Sequence, residues 1–342
     1  MKYKTAIVGV TGIVGQQAIV ALNNHPQFDL ISFAASERSA GKTYRQAIET
    51  NGIVGWYADD PMPEEINNIK VQDAGKLDPS DYDIIFSCVD ADVARELEPK
   101  FAKHCAVIST ASAFRYDNDV PLIIPPVNPE QASLIEKQRK TRNWKGFIAP
   151  IPNCTTTGLA ITLKPLDQFG IESVIMTSLQ AVSGAGRSPG VRALDIIDNV
   201  IPYIVGEEEK VEKEAQKILN KKFDISCTCT RVPVLNGHTE SVFVQLKKPA
   251  TIEQAEKAFS NFSSSVKTHS TPKQVIKVFS DPSRPQPRLD RETGNGLTTC
   301  VGRIRSDPVL GLKYVLVSHN SKMGAAAGAV WLAELLEQRG YI

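Results

Sequence analysis

Three glycines, each three residues after the last, constrain the fold of this 342-residue chain more than any other feature. The apolar run Thr5–Val10 enters the segment Gly9-Val-Thr-Gly12-Ile-Val-Gly15, and a helical pattern follows over Ile13–Asn23. Strand, glycine turn and helix in this order predict a dinucleotide-binding turn, because glycine lets the backbone approach a pyrophosphate and the helix N-terminus offers N–H groups. Because the spacing departs from the commoner G-x-G-x-x-G, glycines that serve only the turn and the packing remain an alternative. The predicted cofactor contacts are Gly9, Thr11, Gly12, Ile13, Val14 and Gly15.

The residues after the second predicted strand, Leu30–Ala35, indicate which dinucleotide is bound. An acidic residue there suits the free 2′-hydroxyl of NAD, whereas arginine suits the 2′-phosphate of NADP. Both occur, as Glu37 and Arg38, and the hydroxyls of Ser36 and Ser39 flank the arginine. Because hydroxyls and a guanidinium together favour phosphate, we predict NADP, bound by Ser36, Arg38 and Ser39. NAD remains the alternative if Glu37 faces the ribose.

Strand and helix patterns alternate through the first 150 residues, which predicts a parallel sheet covered by helices. The chain then becomes β-rich, and Asn236-Gly237 gives a tight-turn signal between the segments Cys227–Val234 and Ser241–Leu246. We predict an α/β protein with a Rossmann-type dinucleotide-binding domain over residues 1–150, completed by the C-terminal helix within 321–342. The second domain, over 151–320, is predicted to be α+β with a mainly antiparallel sheet.

Composition excludes several classes of function. Lys and Arg number 39 against 38 for Asp and Glu, so the net charge of +1 provides no broad basic field for nucleic acid or an anionic membrane. The longest apolar tract, Gly324–Leu336, is shorter than the roughly 18 residues needed to span a bilayer. The N-terminus lacks a signal-peptide pattern, and we expect a cytoplasmic protein. Six scattered cysteines do not indicate a disulfide framework, and Cys227 and Cys229 lack companion ligands, so no metal site is predicted.

Cys154 is the first candidate for covalent chemistry. It follows Asn153, a plausible helix N-cap, and precedes the apolar periodic segment Leu159–Leu166. A thiol in the first turn of a helix meets unpaired N–H groups and the positive end of the helix dipole, which stabilise a thiolate. A buried structural cysteine is the alternative.

His238 is the second candidate. The sequence Arg231-Val-Pro-Val-Leu-Asn-Gly237-His238 places the histidine directly after the Asn-Gly turn, and we expect it at a loop tip. A positioned histidine can move the proton of a reacting oxygen. An exposed turn residue without a chemical role is the alternative, and Arg231 lies near the far end of the preceding strand.

Along nearly its whole length the chain resembles the aspartate-semialdehyde dehydrogenases of the archaeal and fungal branch. The matching motifs include GVTGIVG, SERSAGK, PNCTTTGL, LQAVSGAGRSPGV, RVPVLNGHTE and VGRIRSDPVLGLKYVLVSHN. The resemblance implies NADPH-dependent reduction of L-aspartyl 4-phosphate to L-aspartate 4-semialdehyde, with release of phosphate. Cys154 would form a thioester, and His238 would be the acid/base for the reacting oxygen. The second domain would then be the catalytic and dimerisation domain.

The resemblance also implies roles for further residues. Arg231 would pair with the substrate α-carboxylate and Glu207 with its ammonium group, while Lys210 and Arg115 would hold the phosphate. Without the resemblance, the run EEEKVEKE that contains Glu207 and Lys210 is typical of a solvated helix. Further implied contacts are Gln180 with the acyl group, Asn153 with the substrate, and Ser183, Gly184, Gly186, Asn320 and Gly324 with the cofactor.

Other activities remain open at this point. Malonyl-CoA reductase uses the same cysteine, thioester and hydride steps on a CoA ester, but the pair Glu207 and Arg231 favours an amino acid substrate. N-acetylglutamyl-phosphate reductase fits the motifs less well, and a noncatalytic nucleotide-binding regulator would not need Cys154 and His238. The resemblance implies a homodimer or homotetramer that forms through the sheet of the second domain.

Overall fold

The computed structural model describes residues 2–187 and 190–342. Up to residue 150 the helices and strands are β1 (Tyr3–Val8), α1 (Ile13–Leu22), β2 (Phe28–Ala35), α2 (Tyr44–Ile48), β3 (Glu49–Thr50), β4 (Ile53–Val54), β5 (Val71–Asp73), β6 (Ile84–Ser87), α3 (Ala91–Ala102), β7 (Ala106–Ser109), α4 (Leu134–Arg142) and β8 (Phe147–Pro150). The remaining ones are α5 (Cys154–Leu166), β9 (Ile171–Gln180), α6 (Ala193–Ile196), α7 (Glu207–Leu219), β10 (Asp224–Arg231), β11 (His238–Leu246), α8 (Ile252–Asn261), β12 (Ile276–Phe279), α9 (Pro287–Asp290), β13 (Thr299–Asp307), β14 (Gly311–Ser318) and α10 (Ala326–Gln338). None of the helices in these two described ranges has both the length and the apolar composition needed to cross a membrane.

The chain forms two compact units. The first unit comprises Met1–Ile123, Glu130–Ile151 and Ala326–Ile342, and the second comprises Ile124–Pro129 and Pro152–Ala325. The first unit therefore includes α10, which is contributed by the C-terminal end of the chain.

The first unit is built on a six-stranded parallel sheet in the order β5-β2-β1-β6-β7-β8. Its central strands are almost fully buried, because a parallel sheet carries helices on both faces. The order reverses between β1 and β6, which is the switch point where dinucleotides bind in such sheets. The glycine turn follows β1 at this point, so the predicted Rossmann-type architecture is confirmed.

The second unit contains a six-stranded mixed sheet in the order β10-β9-β11-β14-β13-β12. The three inner pairings are antiparallel and the two outer ones are parallel. The chain bends at Leu235 and Asn236, and Gly237 adopts φ +92°, but this segment does not join neighbouring strands. β9 lies between β10 and β11 and pairs with both. The segment therefore joins two strands that do not pair with each other, which its local sequence cannot reveal.

The two faces of this mixed sheet differ in burial. Along β9 the side chains alternate, with Met176, Ser178 and Gln180 buried and with Ile175 and Leu179 exposed. The buried face packs against helices, including α5, whereas the other face is open in the isolated chain. Alternation of this kind is expected for a sheet that is covered by helices on one side only.

Helix α7 protects the edge of the sheet at β10. The carboxylates of Glu208 and Glu212 accept hydrogen bonds from the backbone N–H groups of Cys229 and Cys227, at 2.9 and 3.0 Å. These N–H groups would otherwise lie unpaired on an edge strand, where they invite pairing with another chain. The acidic run that begins α7 therefore has a structural task in addition to any role in binding.

Candidate active site

Cys154 is the first residue of α5, in the second unit. The side-chain Oδ1 of Asn153 accepts the N–H groups of Thr155 and Thr156, at 2.9 and 3.2 Å, and so caps the helix as the sequence predicts. The cap fixes the first turn of α5, in which Cys154 is the first residue. A helix start of this kind stabilises a thiolate.

Asn153 is itself held by α7. Its backbone N–H donates to Glu214 Oε2 at 2.6 Å, and its Nδ2 donates to Glu207 Oε1 at 2.8 Å. Asn153, Glu207 and Glu214 are all buried. The start of α5 is therefore fixed by two carboxylates that lie more than fifty residues away in the sequence.

His238 lies beside the cysteine. Its Nε2 is 3.2 Å from Cys154 Sγ, and its Nδ1 accepts the backbone N–H of Ala181 at 3.1 Å. Because Nδ1 accepts, the proton of the neutral ring is assigned to Nε2, which points at the sulfur. The expected loop-tip position is wrong: His238 is the first residue of β11 and is fully buried, because its strand inserts between β9 and β14.

Burial determines the charge of this histidine. Desolvation, followed by the positive charge of Arg231 and then by His319, lowers the pKa of His238 to about 3. The ring is therefore neutral throughout the physiological range. A neutral ring with its proton on Nε2 can donate a hydrogen bond to the sulfur.

Arg231 is the buried cation of the site. Its Nη1 donates to the carbonyl oxygen of Ala181 at 2.7 Å, which leaves the rest of its guanidinium fork for other acceptors. Burial lowers the pKa of Arg231 from its usual value, and the nearby Cys154 and Glu207 oppose that shift. Lys210 Nζ lies 3.6 Å from Glu207 Oε2. The second unit therefore contains the Glu207 carboxylate together with the cations of Lys210 and Arg231.

Gln180 and the following loop surround these groups. Gln180 pairs in register with Arg231 across β9 and β10, is almost fully buried, and donates to Ser178 Oγ at 3.2 Å. A Cβ on Gly184 would lie 3.0 Å from Arg231 Nη1 and 3.2 Å from His238 Cε1. Glycine at position 184 thus permits close packing on the two functional side chains.

The segment after β14 completes the site of the second unit. Asn320 Oδ1 accepts the N–H of Gly237 and its Nδ2 donates to Ser183 Oγ, both at 2.8 Å. A Cβ on Gly324 would approach Cys154 Cβ to 2.7 Å, which real Cβ atoms do not tolerate. Gly186 adopts φ +71° and would meet nothing within 4 Å, so its backbone conformation and not its packing favours glycine.

The three glycines of the turn in the first unit serve different purposes. Gly9 has φ +87°, and a side chain on it would overlap the Cys88 carbonyl, while a side chain on Gly15 would overlap the backbone of Gly9. A Cβ on Gly12 would meet only Gly9 O at 3.5 Å, an ordinary contact. Gly12 is the N-cap of α1 and makes no side-chain cap, so the helix start presents open N–H groups together with free space. This cradle fits a pyrophosphate.

Ser36, Arg38 and Ser39 lie in the turn directly after β2. Ser36, Glu37 and Arg38 are exposed, and the N–H of Ser39 donates to the carbonyl of Ser36 at 2.9 Å. Both candidate side chains for the ribose, Glu37 and Arg38, are therefore accessible. Arg115 lies elsewhere in this unit, is buried, and donates from Nη2 to Thr110 O at 2.9 Å.

Sequence reasoning missed two groups of the site. The N–H of Ala181 sets the tautomer of His238, and Glu214 anchors Asn153. A backbone N–H carries no sequence signal. Glu214 stands in the acidic run of α7, where one carboxylate resembles the next until the partner of each is known.

Two family models match the chain. One, described as "Semialdehyde dehydrogenase, NAD binding domain", matches residues 4–135, and the other, "Semialdehyde dehydrogenase, dimerisation domain", matches residues 163–321. Both matches point to one class of enzyme, the semialdehyde dehydrogenases.

Individual relatives identify the family within this class of enzyme. Aspartate-semialdehyde dehydrogenase of Archaeoglobus fulgidus is 45% identical over 98% of each chain, and that of Methanothermobacter thermautotrophicus is 43% identical over 97% of this chain and 98% of its own. The crystal structure of aspartate semialdehyde dehydrogenase with NADP from Candida albicans superposes with a TM-score of 0.88 at 38% identity, over 100% of both chains. The chain belongs to the aspartate-semialdehyde dehydrogenases.

Proposed function

We propose that the chain reduces L-aspartyl 4-phosphate to L-aspartate 4-semialdehyde with NADPH, and that Cys154 and His238 carry out the chemistry. The observation that supports this assignment most strongly is the 3.2 Å approach of Cys154 Sγ to His238 Nε2 at a capped helix start. The buried Arg231 and Glu207 beside this pair suit a substrate that has both a carboxylate and an ammonium group. The relatives named above are all aspartate-semialdehyde dehydrogenases by name, and none favours malonyl-CoA reductase.

Cys154 acts first. Its thiolate attacks the acyl carbon, the C–O bond to phosphate breaks, and inorganic phosphate leaves with that electron pair, so that a thioester remains on sulfur. Bound NADPH supplies the hydride that reduces this thioester. His238 donates its Nε2–H first to the thiolate and then to the oxygen that becomes negative on Cys154 after reduction. Collapse of this tetrahedral species re-forms the carbonyl and expels the thiolate, so a neutral His238 is sufficient as a hydrogen-bond donor.

The substrate groups are assigned by charge. Arg231 binds the α-carboxylate, Glu207 accepts the ammonium group, and Lys210 and Arg115 bind phosphate. Gln180 orients the acyl group, and Asn153 holds both the helix start and Glu207. These roles rest on the chemistry of the side chains and on the family resemblance.

The cofactor contacts fall into three groups. The open N–H groups at Gly12 suit the pyrophosphate, with Gly9, Thr11, Ile13, Val14 and Gly15 forming the rest of the turn. Arg38, with Ser36 and Ser39, selects the 2′-phosphate. The contacts proposed for the nicotinamide are Ser183, Gly184, Gly186, Asn320 and Gly324.

A spectrophotometric assay of NADPH oxidation tests the proposal. We expect turnover with aspartyl phosphate and none with malonyl-CoA, and a preference for NADPH over NADH that Arg38→Ala reduces. Cys154→Ala should abolish the thioester and turnover, whereas Lys257→Ala, at an exposed position of helix α8, should change neither. Turnover with the CoA ester alone, or an active Cys154→Ala enzyme, would refute the assignment.

We further propose that two copies associate through the open face of the mixed sheet. Ile175 and Leu179 are 46% and 43% exposed there, and β9 pairs with β11 in register across this face. Light scattering should give the mass of a dimer, and Leu179→Lys should convert it to monomer; a tetramer would require a further interface. The domain limits at residues 150 and 320 and the cytoplasmic location remain predictions.

A further inference from the structure

Helix α7 carries two pairs of glutamates that accept N–H groups, three of them from the backbone and one from the side chain of Asn153. Glu208 and Glu212, one turn apart, accept from the edge strand β10. Glu207 and Glu214, two turns apart and so on a common side of the helix, reach Asn153 instead. One helix therefore provides two similar kinds of bond, one directed at the sheet and one at the start of the catalytic helix.

The hydrogen bond that Glu214 accepts completes the N-terminal cap of α5. In a capping box the N-cap side chain accepts an N–H of the first turn, while a Glu or Gln at the third helical position accepts the N–H of the N-cap residue itself. In α5 that third position is Thr156, and the N–H of Asn153 donates to Glu214 Oε2 at 2.6 Å. The distant carboxylate thus takes the place of the local one.

Burial makes the hydrogen bond between Asn153 N–H and Glu214 difficult to replace. Glu214 is fully buried and Asn153 is 8% exposed, so water does not readily replace a lost carboxylate. An unsatisfied N–H at this position would release the N-cap from its present conformation, and Cys154 follows directly in the chain. The sulfur would then leave its 3.2 Å contact with His238 Nε2.

We propose that Glu214 is a positioning residue for the nucleophile: its buried carboxylate fixes the N-cap of α5 and thereby the place of Cys154 Sγ. The residue itself touches neither substrate nor cofactor in this role. The inference rests on the proposed role of Cys154 as nucleophile, and it adds a residue that the family resemblance did not supply.

The test compares three variants of α7 in the full-length enzyme. Glu214→Ala removes the acceptor, Glu214→Gln keeps an oxygen that can accept the N–H, and Glu212→Ala is the matched control because it removes the same kind of bond to β10. For each variant we would measure alkylation of Cys154 by iodoacetamide, followed by mass spectrometry, together with kcat and the KM for NADPH.

We expect Glu214→Ala to slow alkylation and to lower kcat by about 10- to 100-fold, as for a displaced reacting group, with the KM for NADPH unchanged. Glu214→Gln should restore most of both rates. Glu212→Ala should lower stability and leave alkylation and kcat unchanged.

Two results would overturn the inference. One is equal alkylation rates in Glu214→Ala and Glu212→Ala, and the other is a Glu214→Gln enzyme as impaired as Glu214→Ala, since a cap needs only an acceptor. Circular dichroism identifies a variant that fails to fold, and the Gln variant then decides alone. Failure of the proposed function has a different signature, because Cys154→Ala would then retain turnover.

Discussion

Glu98 in the first unit provides the sharpest quantitative prediction. It lies on α3, is fully buried, and accepts a hydrogen bond from Ser109 Oγ at 2.6 Å. Burial raises the pKa of Glu98 from 4.5 to about 7, and its bond to Ser109 only partly offsets this shift. The folded chain therefore holds this proton in a pH range where the unfolded chain releases it.

The sign and the size of the effect follow from linkage. Between pH 4.5 and 7 the folded state binds more protons than the unfolded state, so stability falls as the pH rises. With a pKa of about 7 folded and 4.5 unfolded, the loss between pH 5 and pH 7 is about 2 kcal/mol. Glu98→Gln has no proton to lose and should not show this loss.

Guanidinium unfolding followed by tryptophan fluorescence suits the measurement, because Trp56, Trp144 and Trp331 all belong to the first unit, as Glu98 does. The difference between wild type and Glu98→Gln should change by about 2 kcal/mol from pH 5 to pH 7. Glu96→Gln is the matched control, since Glu96 lies on the same helix with an exposed side chain paired to Lys100. A difference that stays constant with pH for Glu98→Gln would refute the reasoning.

Three further predictions concern the second unit. Asn153→Ala should lower the free energy of unfolding by about 1 kcal/mol for the lost cap, and by more because the buried Glu207 carboxylate loses its hydrogen bond to Asn153 Nδ2. The same variant should slow the alkylation of Cys154. Thr251→Ala is the control, because it removes the exposed capping box of α8 and should cost only the cap. Gly324→Ala should lower kcat by about 10- to 100-fold, because its Cβ displaces Cys154; unaltered steady-state rates would contradict this. The pKa of His238 is lowered to about 3, so the free energy of unfolding should rise by about 1.4 kcal/mol per pH unit from pH 4 to 6, relative to His238→Asn, in urea titrations. The rate of Cys154 alkylation should show no histidine titration step near pH 6.5, and wild type and His238→Asn should be alike in this respect.

Much of the site could be predicted from the sequence where its causes are local. The glycine turn is visible because its three evenly spaced glycines directly follow an apolar strand pattern, although the contact of Gly9 with the Cys88 carbonyl is long-range. The cap of α5 is visible because Asn153 bonds residues two and three positions ahead. The same locality limits what Asn236-Gly237 can predict, because a turn signal does not reveal that β9 lies between the two strands that it joins.

The class of fold, the glycine turn and the capped cysteine can be read from the sequence, because each has a pattern that lies within a few consecutive residues. The protonation and the position of the side chains at the site depend on the tertiary structure. His238 is neutral with its proton on Nε2 because the strand that carries it is buried beside the N–H of Ala181, 57 residues away. Glu214 accepts the N–H of Asn153, at the start of α5, from 61 residues away. Desolvation and long-range hydrogen bonds depend on which strands and helices meet, and local patterning does not encode that.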